Sequence, residues 1–213
     1  MTTDFQKQQA VAGLEQLASL VRAQSWRQDG TPSLPPTQSA VLRMLDGAAE
    51  PLRAAQIAER LGISAASLSD SLKALEAKGW LLRAADPADK RASLLSVTVY
   101  GREIAARLND PQQGMAALIN GLSEQDVGAF LRVTQLLVRE AQQKGLATGS
   151  RTCLGCRFFR PGEGSQPDKP HFCAFVQQPF GDSELRVDCA EQQPADQQQA
   201  EESVLRFRPM HSQ

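Results

Sequence analysis

Apolar residues recur at helical spacing along most of the chain and group into strand-like runs in one short stretch. This pattern predicts a mainly α protein with a small β-hairpin. Residues 4–26 carry Val11, Leu14, Leu17, Leu20 and Val21 near helical spacing. The run from Asp29 to Pro36, with one glycine and three prolines, breaks that helix. Thr37 is the expected N-cap of a helix carrying Ala40, Val41, Met44 and Leu45, which Gly47 ends. A short helix with Ile57, Ala58 and Leu61 stops at Gly62, and Ser64 caps the next, which runs to Lys78 and stops at Gly79. Leu68, Leu72 and Leu75 form one apolar stripe on it, so Ser67, Ser69, Asp70 and Lys73 are expected to face outward.

Trp80–Arg83 and Leu94–Val99 read as two strands. The polar turn Ala84–Arg91 joins them into a hairpin with Lys90 and Arg91 at its basic end. Helices follow past Gly101 through Ile104 and Leu108, from about Met115 to Ile119, and from Ser123 through Val127, Phe130, Leu131, Leu137 and Val138. Gly145–Ser150 reads as a linker, and the Gln-rich stretch after Cys189 as a flexible tail. The expected domains are a helical body over 1–145, a cysteine-rich extension over 151–192 and the tail over 193–213.

Composition narrows the class. No stretch approaches the roughly 18 apolar residues that span a bilayer. The polar start, with Asp4 and Lys7, has no signal-peptide core behind it, so a cytoplasmic protein without membrane contact is expected. The formal net charge is -1. Attraction to nucleic acid must then come from locally placed basic residues.

A helix–turn–helix followed by a hairpin places its second helix against a major groove, with the hairpin tip near phosphates or the adjacent minor groove. Three segments carry the likeness to a known family: Ala55–Ser64, Leu72–Leu81 and Asp86–Ser93, continuing into Val97–Glu103. They resemble the MarR family of winged-helix regulators over roughly residues 5–140. The resemblance implies a winged helix-turn-helix flanked by dimerisation helices, a homodimer and a palindromic DNA operator. By position it implies Ser64, Ser67, Ser69 and Lys73 on the recognition helix, and Arg83, Lys90 and Arg91 on the wing. Relatives often carry a basic residue where this chain has Asp70.

All four cysteines lie in the last third, as Cys153-x2-Cys156, then sixteen residues to Cys173 and fifteen to Cys189. In a reducing cytosol such a cluster reads as a metal or redox site. Four thiolates suit tetrahedral zinc or the corners of an iron–sulfur cluster. About forty residues with few aliphatics need such ligation to fold. One pair plus two single cysteines, with Phe158, Phe159, Phe172, Phe175 and Phe180 around them, resembles the cluster segment of high-potential iron–sulfur proteins. A 4Fe-4S cluster is therefore the expected cofactor, with zinc as the alternative. His171 is a substitute ligand or, as is commoner, a lone surface histidine.

The sequence holds no His-rich base constellation, Gly-rich phosphate loop or paired carboxylates at motif spacing, so no enzyme is expected. The leading expectation is a repressor that senses redox or iron status through its cysteines. A small-molecule-responsive repressor with a structural zinc tail stays open. So does an electron-transfer protein that uses the winged helix for protein contact.

Overall fold

Two glycines with left-handed backbone, Gly62 (φ +62°) and Gly79 (φ +70°), follow two successive helices, where a side chain would be strained. The computed structural model describes residues 3–25, 34–89, 91–110 and 114–208. In chain order they form α1 (Asp4–Ser25), α2 (Pro36–Asp46), β1 (Leu52–Arg53), α3 (Ala54–Leu61), α4 (Ala65–Ala77), β2 (Leu81–Ala85), β3 (Ser93–Val97) and α5 (Val99–Leu108). There follow α6 (Gly114–Ile119), α7 (Glu124–Gln143), β4 (Phe159–Gln166), β5 (Lys169–Cys173), β6 (Gln178–Phe180) and α8 (Gln197–Phe207). Two compact units result: Met1–Ala54 with Ala65–Gly121, and Ala55–Ser64 with Leu122–Gln213.

In the first unit the apolar stripe of α4 is buried as expected, with Leu68, Leu72 and Leu75 at 2% exposure or less. Val41, Leu42, Leu45, Leu95 and Ile104 share its core. The sheet has the antiparallel order β1-β3-β2, with Leu81 opposite Val97, Ala85 opposite Ser93 and Leu52 opposite Leu95. The two-residue β1 carries no periodicity and was not foreseeable from pattern.

Several boundaries differ from the sequence reading, some by one or two residues at a strand or helix end, and those of α2, β3 and α5 have a local reason. Pro36, not a residue after Thr37, is the first helical position of α2, where the missing N–H of proline costs nothing. The second hairpin strand ends at Val97 because Thr98 turns the chain. Its hydroxyl accepts the Gly101 N–H at 2.8 Å, starting α5 at Val99, and donates to the Gly79 carbonyl at 2.8 Å. Gly101 is required there, since a Cβ would run into the Trp80 carbonyl.

The second unit holds a three-stranded antiparallel sheet, order β4-β5-β6, with α8 packed on β4, while α7 lies against the short turns Cys153–Gly155 and Asp182–Glu184. Leu154, Cys156, Phe159, Leu185 and Phe207 form its core, joined by Leu131, Leu136 and Phe180. The expected flexible tail is instead helical over α8. Asp196 caps it by accepting the Gln199 N–H at 2.8 Å, Gln–Glu pairs brace it four residues apart, and Phe207 is wholly buried. The Gln-rich composition reads as low complexity, yet Gln, Glu and Ala are good helix formers. The expected linker is also packed: a Cβ on Gly149 would meet the backbone of Glu59 and Arg60 in α3.

Candidate functional site

Helix α4 presents Ser67, Asp70 and Lys73 to solvent, while Ser69 is half-buried and Ser71 buried. Ser64 is exposed one residue before the helix begins. Lys73 lies 3.9 Å from Asp70 with both side chains largely in water. Such a pair contributes little to stability. It does place a negative charge beside the Lys73 cation.

The hairpin loop is stiffened by its own aspartates. Asp86 accepts the Ala88 N–H at 2.8 Å and Asp89 accepts the Arg91 N–H at 3.0 Å, while the Asp89 carbonyl takes the Ala92 N–H at 2.8 Å. Asp86 is buried and also holds Arg53 of β1 at 2.6 Å, which ties the loop to the sheet. The Ala88 N–H, with Arg53, keeps the Asp86 carboxyl below the ordinary carboxylate range despite the opposing effect of burial. Arg91 is exposed beside this loop. Arg83 is mid-strand and pairs with Glu76 of α4 at 2.6 Å, so it sits at the wing's root rather than at its tip. Lys90 lies outside the described residues.

The four cysteines, far apart in sequence, line one cavity of about 280 Å³. All four are free thiols. Cys153 and Cys156 flank a tight 3₁₀ turn in which the Cys156 N–H donates to the Cys153 carbonyl at 2.9 Å. Cys173 ends β5, and Cys189 is fixed by its N–H to the Arg151 carbonyl at 3.0 Å. The Arg186 N–H donates to Cys153 Sγ at 3.3 Å. Burial pushes the Cys153 thiol up to about 11; that N–H opposes the shift and the other three thiols add to it. Among the described residues, no three His, Cys, Asp or Glu side chains sit close enough to share one metal ion.

His171 is neither a surface histidine nor part of this cavity's lining. It is fully buried, its Nε2 2.8 Å from Asp182 Oδ1 and its ring against Phe159, Phe180 and Phe207. Arg132 approaches the same carboxylate at 3.5 Å and donates to the Phe207 carbonyl at 2.8 Å. Three further polar features of this unit were not singled out in the sequence. Gln135, wholly buried, donates to the Arg186 carbonyl at 2.8 Å and accepts the Leu154 N–H at 2.9 Å. The available signal was a glutamine interrupting the stripe of Leu131 and Val138. The second is a pocket of about 550 Å³ whose lining includes Arg60, Arg139 and Arg151. The third is within it: Arg139 Nε is buried and has no hydrogen-bond partner among the described residues. Burial and then Arg151 disfavour the charged form of Arg60, against Asp188 and Glu59.

Residues 33–92 match the MarR family model. Among solved structures the chain is similar to Sco3205, a MarR family transcriptional regulator from Streptomyces coelicolor in complex with DNA. The TM-score is 0.58 at 22% identity, covering 67% of this chain and 91% of that one. It is also similar to the transcriptional repressor CouR bound to a 23-mer DNA duplex, with a TM-score of 0.53 at 26% identity, covering 59% and 89%. FabT of Streptococcus pneumoniae in complex with DNA gives 0.51 at 20%, covering 66% and 99%. No curated protein matches the sequence significantly. The matched part of the chain has the helical winged-helix fold of these regulators. Among the described residues no helix is long and apolar enough to cross a membrane.

Proposed function

We propose that the chain is a dimeric DNA-binding transcriptional regulator of the MarR type. The observation that carries this reading is a serine-faced helix α4 followed by a stiffened hairpin with Arg91, inside the segment that matches the MarR family model. Helix α4 enters the major groove, where Ser64, Ser67 and Ser69 face base edges or phosphates. Lys73, Lys90 and Arg91 supply phosphate contacts, and Arg83 steadies the wing on α4.

Dimerisation is supported by α1, whose Val11, Leu14, Leu17, Leu20 and Val21 remain 43–56% exposed in the single chain. A row of apolar residues left in water is an interface in waiting. Two protomers then offer two recognition helices to half-sites about one helical turn apart. The cysteine-lined second unit is the regulator's input, its occupancy setting how firmly α7 is held.

A second reading has its own support. The arginine pocket suits a small anionic effector, whose charge relieves the crowding of Arg60 and Arg151 and meets the unpartnered Arg139 Nε. Selecting duplex fragments from random sequence with the full-length protein tests the main proposal. Enrichment of an inverted repeat supports it, and a pool that stays random overturns it.

A further inference from the structure

We infer that the four-cysteine cavity holds a four-iron, four-sulfide cluster, one cysteine at each corner, and not a single zinc ion. The inference deepens the reading of the second unit as the input half. It is decided by metal analysis, whether or not the chain binds DNA.

Three observations carry it. The first is separation. Around zinc, four thiolates close to about 2.3 Å from the ion, leaving no space between them. Here all four cysteines line the same cavity, yet no three His, Cys, Asp or Glu side chains among the described residues are close enough to share an ion. The second is volume. The cavity of about 280 Å³ reaches beyond the cysteines to Gln178, Pro179 and Glu191, and it has room for a group larger than one ion. The third is the wall. Phe158, Phe159 and Phe180 line one side of it, an apolar surface that suits a bulky, polarisable group, while Phe175 in the same lining is exposed.

The ligands arrive on three separate pieces of chain: the turn of Cys153 and Cys156, the end of β5, and the segment anchored at Cys189. Four corners reached from different directions match a cube better than paired knuckles do. The Arg186 N–H, 3.3 Å from Cys153 Sγ, is placed to donate to a ligating sulfur. Each thiol releases its proton to solvent on ligation.

The test uses the full-length protein, expressed with iron supplied and purified without oxygen. Iron, acid-labile sulfide and zinc are measured per chain beside the visible spectrum. The inference expects a brown protein with about four iron and four sulfide per chain. It also expects Cys189→Ser, with unchanged far-ultraviolet circular dichroism, to lose most of both. About one zinc per chain with no sulfide overturns it, as do about two iron with two sulfide, or four thiols that react freely in metal-free protein. The wild-type stoichiometry decides the matter even if the variant does not fold.

Discussion

Gln135 of α7 accepts the Leu154 N–H at 2.9 Å, and Leu154 lies between the two cysteines of the tight turn. The same side chain donates to the carbonyl of Arg186, whose own N–H reaches Cys153 Sγ. One buried amide therefore joins the long helix to two parts of the cysteine cavity. Gln135→Ala leaves the Leu154 N–H buried without its partner, while the Arg186 carbonyl keeps the Cys153 N–H at 3.1 Å. Such a loss costs about 1–3 kcal/mol. Urea unfolding should show at least that destabilisation, together with a lower content of whatever metal group the cavity holds. Unchanged stability would mean that water replaces the amide.

Phe207 closes the core of the second unit. It is wholly buried, and its ring lies 4.4 Å from the Arg132 guanidinium. Phe207→Ala should destabilise the protein by about 3–5 kcal/mol, measured by denaturant unfolding. A loss under about 1 kcal/mol would restore the flexible tail that composition suggested.

Asp86 makes the hairpin acid-sensitive. Its carboxyl titrates lower in the folded protein than in the unfolded chain, chiefly through the Ala88 N–H and also through Arg53. A depressed carboxylate stabilises at pH above its unfolded value, near 4, and loses that contribution as pH falls through the folded value. Asp86→Asn should therefore melt below wild type at neutral pH. The gap should close as the pH drops below about 4. A gap independent of pH would locate the effect in packing rather than charge.

Arg91 is exposed beside the wing loop. Arg91→Ala should weaken binding to all duplex sequences about equally and lower the salt slope by about one phosphate contact. Titrations at several salt concentrations read both effects. Asp70→Asn should act in the opposite direction, because it removes the carboxylate 3.9 Å from Lys73.

The winged helix was legible because its signals are local. Gly62 and Gly79 stop helices, the leucine stripe has helical period, and the hairpin announces its turn through Asp86-Pro87 and Asp89. The second unit was only half legible. Cysteine number and spacing pointed to one site, and the four side chains do line one cavity. The strands β4 to β6, the burial of His171 and the docking of α8 depend on partners more distant in sequence, such as Asp182 for His171 and Arg132 for Phe207. A rule based on composition alone cannot distinguish a Gln-rich helix end-capped by Asp196 from a disordered tail.

Sequence-specific DNA binding is the property on which the proposed regulator stands or falls. The most direct test compares its affinity for the selected inverted repeat with that for a scrambled duplex of equal length, near physiological salt. A preference of at least about a thousandfold is expected, with the affinity for both duplexes lowered alike in Arg91→Ala. Equal affinity for the two duplexes, or none for either, would contradict it.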